Sequence, residues 1–294
     1  MTTAFPPIYK SKAGYEAVMA RYESVMKRGP VNYLSQKVKT RFGNTYVLEG
    51  GNLEGEPLIL FHGWNGNAAN IGANFPFLFD DYHVFMPDII GQSGKSEATR
   101  PSTRGSGYVD WVQDLIDALK LPEVTLVGMS GGGWLSLKTA SYLPKERIKQ
   151  VVGVSIASLT SVNWISVLSW LARSKLYPAS SMESFLRTNL ASDIRSEKAI
   201  QFYKNMELLI NHFKPNLNPH VLRNWELRNI ESPLLVLMGD NERIFYGQKS
   251  VERVRKNVPG LVSAEIVPDA GHVMTIDRPD FLEERILKFL RSGK

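Results

Sequence analysis

The sequence predicts an α/β protein: a mostly parallel central sheet flanked by helices on both faces, with a helical cap inserted late in the chain. Three observations carry this expectation. Short apolar runs alternate with longer segments of helical periodicity, the pattern of βαβ units. A stretch of about 70 residues between Ser158 and Pro233 has no convincing strand, too long for an ordinary connection in a compact domain. One apolar run, Val124 to Val127, leads straight into Gly128-Met129-Ser130-Gly131-Gly132 and then into a helical pattern.

At 294 residues, 43% hydrophobic and 22% charged, the chain can bury a sizeable core and is not disordered. The expected division is a helical extension over 1–30, a core over 31–158 and 226–294, and a helical cap over 159–225. Residues 13 to 28 repeat apolar positions at helical spacing and stop at Gly29-Pro30, so they read as a surface helix before the core. Two strands follow, Leu34 to Thr40 and Thr45 to Glu49, with Phe42-Gly43-Asn44 as a tight hairpin connection. The apolar runs Pro57 to Phe61, Tyr82 to Met86, Val124 to Val127, Val151 to Ile156, Leu234 to Met238 and Ala264 to Val267 read as strands of a mostly parallel sheet. Helices are expected at Tyr108 to Leu119, Gly133 to Tyr142, Lys249 to Lys256 and Phe281 to Leu290.

Within the insertion, Trp164, Val167, Leu168 and Leu171 follow the i, i+3, i+4, i+7 pattern, and Phe202, Met206, Leu209, Ile210 and Phe213 form a second stripe. Such stripes either pack the insertion onto the core or wall an apolar pocket, and the pattern does not separate the two. Trp164 and Leu168, with Met129 beside the glycine-rich turn, are the candidate pocket residues.

Thirty-five basic against 29 acidic side chains give a formal charge of +6. The two signs are interspersed, as in Lys145-Glu146-Arg147, without the long basic run that nucleic-acid binders carry, so no nucleic-acid partner is expected. The absence of cysteine excludes thiol catalysis, disulfides and cysteine-ligated metal. No apolar segment approaches the ~20 residues that span a bilayer, and Met1 to Lys10 lacks a leader pattern. The expectation is a cytoplasmic monomer or homodimer without stable membrane association.

The glycine-rich turn is a G-x-S-x-G sequence in the strand-to-helix context of a nucleophile elbow. A serine held there sits above the sheet beside a helix N-terminus, where amides and the positive dipole end favour developing negative charge. Gly128 and Gly132 meet the steric demand of closely approaching backbones. Serine is a poor nucleophile without a base. Of five histidines, His272 follows the last expected strand and so belongs to the carboxyl edge, where ligands gather in open α/β sheets. His83 begins a strand and reads as structural; His212 and His220 fall in the insertion. A histidine base needs an orienting carboxylate, and both Asp240 and Glu242 follow the strand Leu234 to Met238. Spacing alone does not choose between them.

Five blocks in order, Leu58-Ile-Leu-Phe-His62-Gly63-Trp64, Pro87-Asp88 through Gly91 and Gly94 to Ser96, Gly128 to Gly133, Leu237-Met-Gly239-Asp-Asn-Glu242 and Gly271-His272, resemble the α/β-hydrolase superfamily from about residue 40 onward. The chain looks most like bacterial carboxylesterases of the Bacillus NP type. The resemblance implies an α/β-hydrolase fold with Glu242 as the acid, where the family more often has aspartate, leaving Asp240 as the alternative. It also implies an oxyanion hole formed by the backbone amides of Trp64 and Gly131, with His62 shaping the turn and the Asp88 loop structural. The Asp88 loop lacks the GK[ST] of a nucleotide loop.

The expected activity is hydrolysis of small to medium apolar carboxylic esters through an acyl-enzyme, without metal or other cofactor. Lipases, thioesterases, perhydrolases and carbon-carbon bond hydrolases share these motifs, and a non-catalytic small-molecule receptor on the same fold is the alternative of a different class.

Overall fold

The computed structural model describes residues 5–165, 196–216 and 219–293. Helix α1 (Lys12–Met26) precedes the hairpin β1 (Leu34–Thr40) and β2 (Gly43–Gly51). Then come β3 (Glu56–Phe61), α2 (Ala68–Gly72), β4 (Tyr82–Pro87), α3 (Gly107–Ala118), β5 (Val124–Met129), α4 (Gly131–Ala140) and β6 (Ile148–Val154). Helix α5 (Glu197–His212) lies in the insertion, followed by α6 (Asn224–Arg228), β7 (Leu234–Gly239), α7 (Gly247–Asn257), β8 (Leu261–Val267), α8 (Met274–Asp277) and α9 (Pro279–Arg291). No described helix is long and apolar enough to cross a membrane.

The eight strands form one sheet in the order β1-β2-β4-β3-β5-β6-β7-β8. β1, β2 and β4 pair antiparallel, and every pairing from β4 through β3 to β8 is parallel. The parallel strands β5 and β7 are buried at every residue because helices cover both faces, which is why they read as unbroken apolar runs. The core divides accordingly. Leu58, Leu60, Met86 and Val152 pack with α1, α2 and α9 on one face, while Ile59, Phe61, Leu126 and Val151 pack with α3, α4 and α7 on the other.

Three expectations are corrected. The hairpin turns at Arg41-Phe42, because Thr40 already pairs with Gly43, and the Thr40 hydroxyl donates to the Gly43 carbonyl at 2.7 Å. The anticipated turn residues Gly43 and Asn44 belong to β2. Helix α4 begins at Gly131, two residues before the predicted start, since burial of the whole first turn outweighs the low helix propensity of three glycines. Helix α1 is more than a surface helix: Gly14, Val18, Tyr22 and Val25 are buried, and its N-terminal approach is tied to the end of α5, with the Lys10 amide donating to the His212 carbonyl and the Lys214 amide to that of Ile8, both at 2.8 Å. Short helices α2, α6 and α8 escaped prediction, one turn being too short to show a period. Val167, Leu168 and Leu171 lie outside the described residues.

Candidate active site

Ser130 is the residue between β5 and α4. Its backbone sits at φ 54°, ψ −117°, a strained conformation for a side-chain-bearing residue. Three backbone bonds hold it: its amide donates to the Val154 carbonyl at 2.8 Å, and its carbonyl accepts from Trp134 and Ala157, each at 3.0 Å. The two flanking glycines are sterically obligatory. A Cβ at Gly128 would run into the Gly132 backbone, and one at Gly132 into the carbonyl oxygens of Phe61 and His62.

His272 lies in the loop after β8. Its Nε2 is 2.9 Å from the Ser130 hydroxyl and its Nδ1 is 2.6 Å from Glu242 Oε2. A carboxylate only accepts, so Nδ1 carries the proton and Nε2 is left to accept from the serine O–H. The Glu242 side chain is fully buried, and its second oxygen accepts from the amides of Ile244 at 2.8 Å and Phe245 at 3.2 Å. Three loops, after β5, β7 and β8, thus meet at the carboxyl edge of the sheet.

Asp240 does something else. It is exposed, and its Oδ1 accepts from the Ala270 amide at 3.1 Å, while the Asn241 amide donates to the Ala270 carbonyl at 3.0 Å. These bonds tie the loop carrying Glu242 to the loop carrying His272. The Gly271 amide, donating to Asp277 at 2.7 Å, fixes the histidine loop from the other side.

Opposite Ser130 runs the turn His62-Gly63-Trp64. A Cβ built on Gly131 would stand 2.8 Å from the Trp64 amide nitrogen, so the two backbones are in contact beside the serine. His62 is buried with both ring nitrogens used: Nε2 accepts from the Ile89 amide at 2.9 Å, and Nδ1–H donates to the Gly63 carbonyl at 2.8 Å. Burial pushes its pKa down to about 4, so the ring is neutral at pH 7. The loop after β4 buttresses this turn. Gln92 accepts from the Asn65 amide at 2.8 Å, and the Ser93 hydroxyl donates to the Asn65 and Gly66 carbonyls. Asp88, fully buried, accepts from the Ala68 and Lys95 amides at 2.7 and 2.8 Å, although burial still pushes its carboxyl up to about 6. The structural reading of this loop holds. Gln92 and Ser93 had no signal in the sequence, since their partners are distant backbone atoms.

A cleft of about 710 Å³ opens over Ser130 and His272. Met129 lines it, as do Phe202, Met206 and Leu209 of α5 and Ile244 and Phe245 after β7. Trp164 does not. It is 63% exposed and borders a separate groove with Arg100 and His220, because the segment leaving β6 carries it outward, and Leu168 lies outside the described residues. Arg21 and Val25 of α1 and Arg28 just beyond its C-terminus also line the cleft, a contribution the sequence did not reveal. Helical periodicity marks an apolar face but not its partner.

A profile of the alpha/beta hydrolase family matches residues 58–285. Carboxylesterase YbfK of Bacillus subtilis is 28% identical over 278 residues, covering 92% of this chain and 93% of that protein. The crystal structure of the same carboxylesterase superposes with a TM-score of 0.80 at 27% identity over 96% of this chain and 100% of the other. The crystal structure of naproxen esterase (carboxylesterase NP) from B. subtilis gives a TM-score of 0.81 at 25% identity over 96% and 99% of the two chains.

Proposed function

The chain belongs to the alpha/beta hydrolase family, and from that premise we propose that it is a serine carboxylesterase in which Ser130 is the nucleophile, His272 the general base and Glu242 the acid that orients it. The single observation that carries this reading is the unbroken hydrogen-bonded chain from the Ser130 hydroxyl through both nitrogens of His272 to a buried carboxylate. Its ester class is supported by the carboxylesterases among its relatives and by the apolar side chains of the cleft over Ser130.

In the first half-reaction the Ser130 oxygen attacks the ester carbonyl as His272 Nε2 takes its proton. The tetrahedral oxyanion is held by the amides of Gly131 and Trp64, assisted by the N-terminal dipole of α4. Glu242 stabilises the imidazolium that forms and keeps its own charge. The proton on Nε2 passes to the departing alcohol oxygen, leaving the acyl group on Ser130. Water then repeats the sequence: Nε2 accepts its proton, the hydroxide equivalent attacks the acyl carbonyl, and the proton returns to Ser130 as the carboxylic acid leaves. Residues 159–225 act as the cap over a core of 31–158 and 226–294, with Met129 and α5 shaping the acyl or alcohol pocket.

A fluorophosphonate probe and a panel of nitrophenyl esters graded by acyl length test the reading together. The expected result is covalent labelling at Ser130, lost in Ser130→Ala, and turnover that favours short to medium chains. Folded protein that neither labels nor turns over any ester refutes it.

A further inference from the structure

The cleft over Ser130 has an apolar side and a cationic side, and the cationic side belongs to no step of ester hydrolysis. Arg21 of α1, Arg28 just beyond its C-terminus and Lys198 in the first turn of α5 all line it. One carboxylate, Glu197, lines it with them; it is exposed and forms no ion pair with any of the three among the described residues. The histidines on the cleft wall, His62 and His272, are both committed to the hydrogen bonds described above.

Two of the cations are poorly satisfied. Lys198 is half-buried and finds no hydrogen-bond or ion-pair partner among the described residues, and burial alone lowers its pKa. Arg21 donates from Nη2 to the backbone and side-chain oxygens of Gln201 at 3.2 and 3.0 Å, while its buried Nε has no partner among the described residues. Its pKa too is lowered, first by burial and then by Arg28. Partly desolvating a charge without pairing it is costly, and purely structural lysines avoid it by reaching water. A ligand anion would relieve that cost at the place where it is incurred. Helix α5, sixteen residues long, adds the positive end of its dipole beside Lys198.

We propose that Lys198 and Arg21 form an anion subsite in the catalytic cleft, so that the favoured substrates are esters carrying a carboxylate remote from the scissile bond. The subsite rests on the esterase reading and narrows its substrate class. The side-chain amide of Gln201, whose oxygen accepts from Arg21, also lines the cleft and carries N–H donors of its own. A distal carboxylate held here fixes the far end of the substrate while Ser130 works on the near end, which lowers KM more than it raises kcat.

The test uses pairs of substrates matched in length. On the acyl side these are 4-nitrophenyl monoesters of adipic, suberic and sebacic acids against their methyl-capped counterparts; on the alcohol side, 6-acetoxyhexanoate against its methyl ester. The readout is the ratio of kcat/KM, charged over capped. In the wild type at least one pair gives a ratio above one, set by KM and reduced by added salt. Lys198→Gln lowers that ratio roughly five- to tenfold, the size expected of one partly screened charge contact, and Lys198→Arg restores it. Lys198 has no partner to lose, so its variant keeps the fold even where Arg21→Gln does not. Lys288→Gln, on the outer face of α9, controls for net charge and leaves the ratio in place. Ratios at or below one for every pair, or a ratio unmoved by Lys198→Gln, overturn the subsite while leaving ester hydrolysis intact. Absence of turnover and of fluorophosphonate labelling overturns the esterase reading, and the subsite with it.

Discussion

Glu242 and Asp240 leave the same turn after β7, yet only Glu242 reaches His272, at 2.6 Å, while Asp240 turns outward to cap the Ala270 amide at 3.1 Å. Two neighbouring carboxylates therefore have separable jobs. Glu242→Gln places an amide where Nδ1–H must donate, favouring the wrong tautomer, and kcat is expected to fall by roughly 10³ to 10⁴ with little change in KM. Asp240→Asn keeps an oxygen for the Ala270 amide and should stay within about threefold of wild type. Steady-state kinetics on one nitrophenyl ester compares the two; equal losses would contradict the division of labour.

The proposed oxyanion donors, Gly131 and Trp64, are backbone amides, but one can be obstructed. The methyl group of Gly131→Ala would sit 2.8 Å from the Trp64 nitrogen and force the two backbones apart. A loss of about 10² in kcat, the size of one missing donor, is expected, with fluorophosphonate labelling slowed in parallel. Wild-type kcat in this variant would place the oxyanion elsewhere.

His62 predicts a pH dependence of stability. Its folded pKa of about 4 lies below the ordinary 6.5, so the unfolded chain binds the proton more readily in that window. The stability from burying neutral His62 is complete above about pH 6.5 and is lost as pH falls through about 4, a change of about 3 kcal/mol. Asp88 opposes it, since its raised folded pKa of about 6 makes the native state bind a proton more readily between its ordinary 3.8 and about 6. The wild-type profile alone therefore understates both. Denaturant titrations of wild type and His62→Gln at pH 7.5 and 4 isolate the histidine: the wild-type advantage should shrink by about 3 kcal/mol on acidification. An unchanged difference would mean that His62 protonates as easily folded as unfolded.

Lys138 on α4 and Glu226 on α6 form an ion pair at 2.5 Å, with side chains only 2% and 4% exposed. Glu226 also accepts from the Arg223 amide at 2.6 Å, so the pair anchors the chain where it returns from the insertion to the core. Removing one partner leaves a buried charge, and Glu226→Gln is expected to cost about 3 to 5 kcal/mol in chemical denaturation. Replacing both residues with apolar side chains of similar volume should restore most of the loss. Comparable losses in the single and double variants would show that the pair stabilises beyond mutual neutralisation.

The parallel strands were legible because their burial on both faces writes continuous apolar runs, and Ser130 because its elbow needs small residues at Gly128 and Gly132 within one local segment. His272 was legible from its position after the last strand. What is local in the chain, a period, a turn or a glycine forced by a close approach, can be read from composition and spacing, and it determined the α/β architecture and two of the three residues in the hydrogen-bonded chain. Spacing did not separate Glu242 from Asp240, and only the family resemblance favoured Glu242; the tertiary structure brings Glu242 and not Asp240 to His272, since two residues of one turn differ in which way their side chains leave it. It likewise decided that Trp164 faces away from the cleft and that Arg21 and Lys198 face it. Side chains from α1 and α5, far apart in sequence, become neighbours through packing, and packing between distant segments leaves no mark in the periodicity of either.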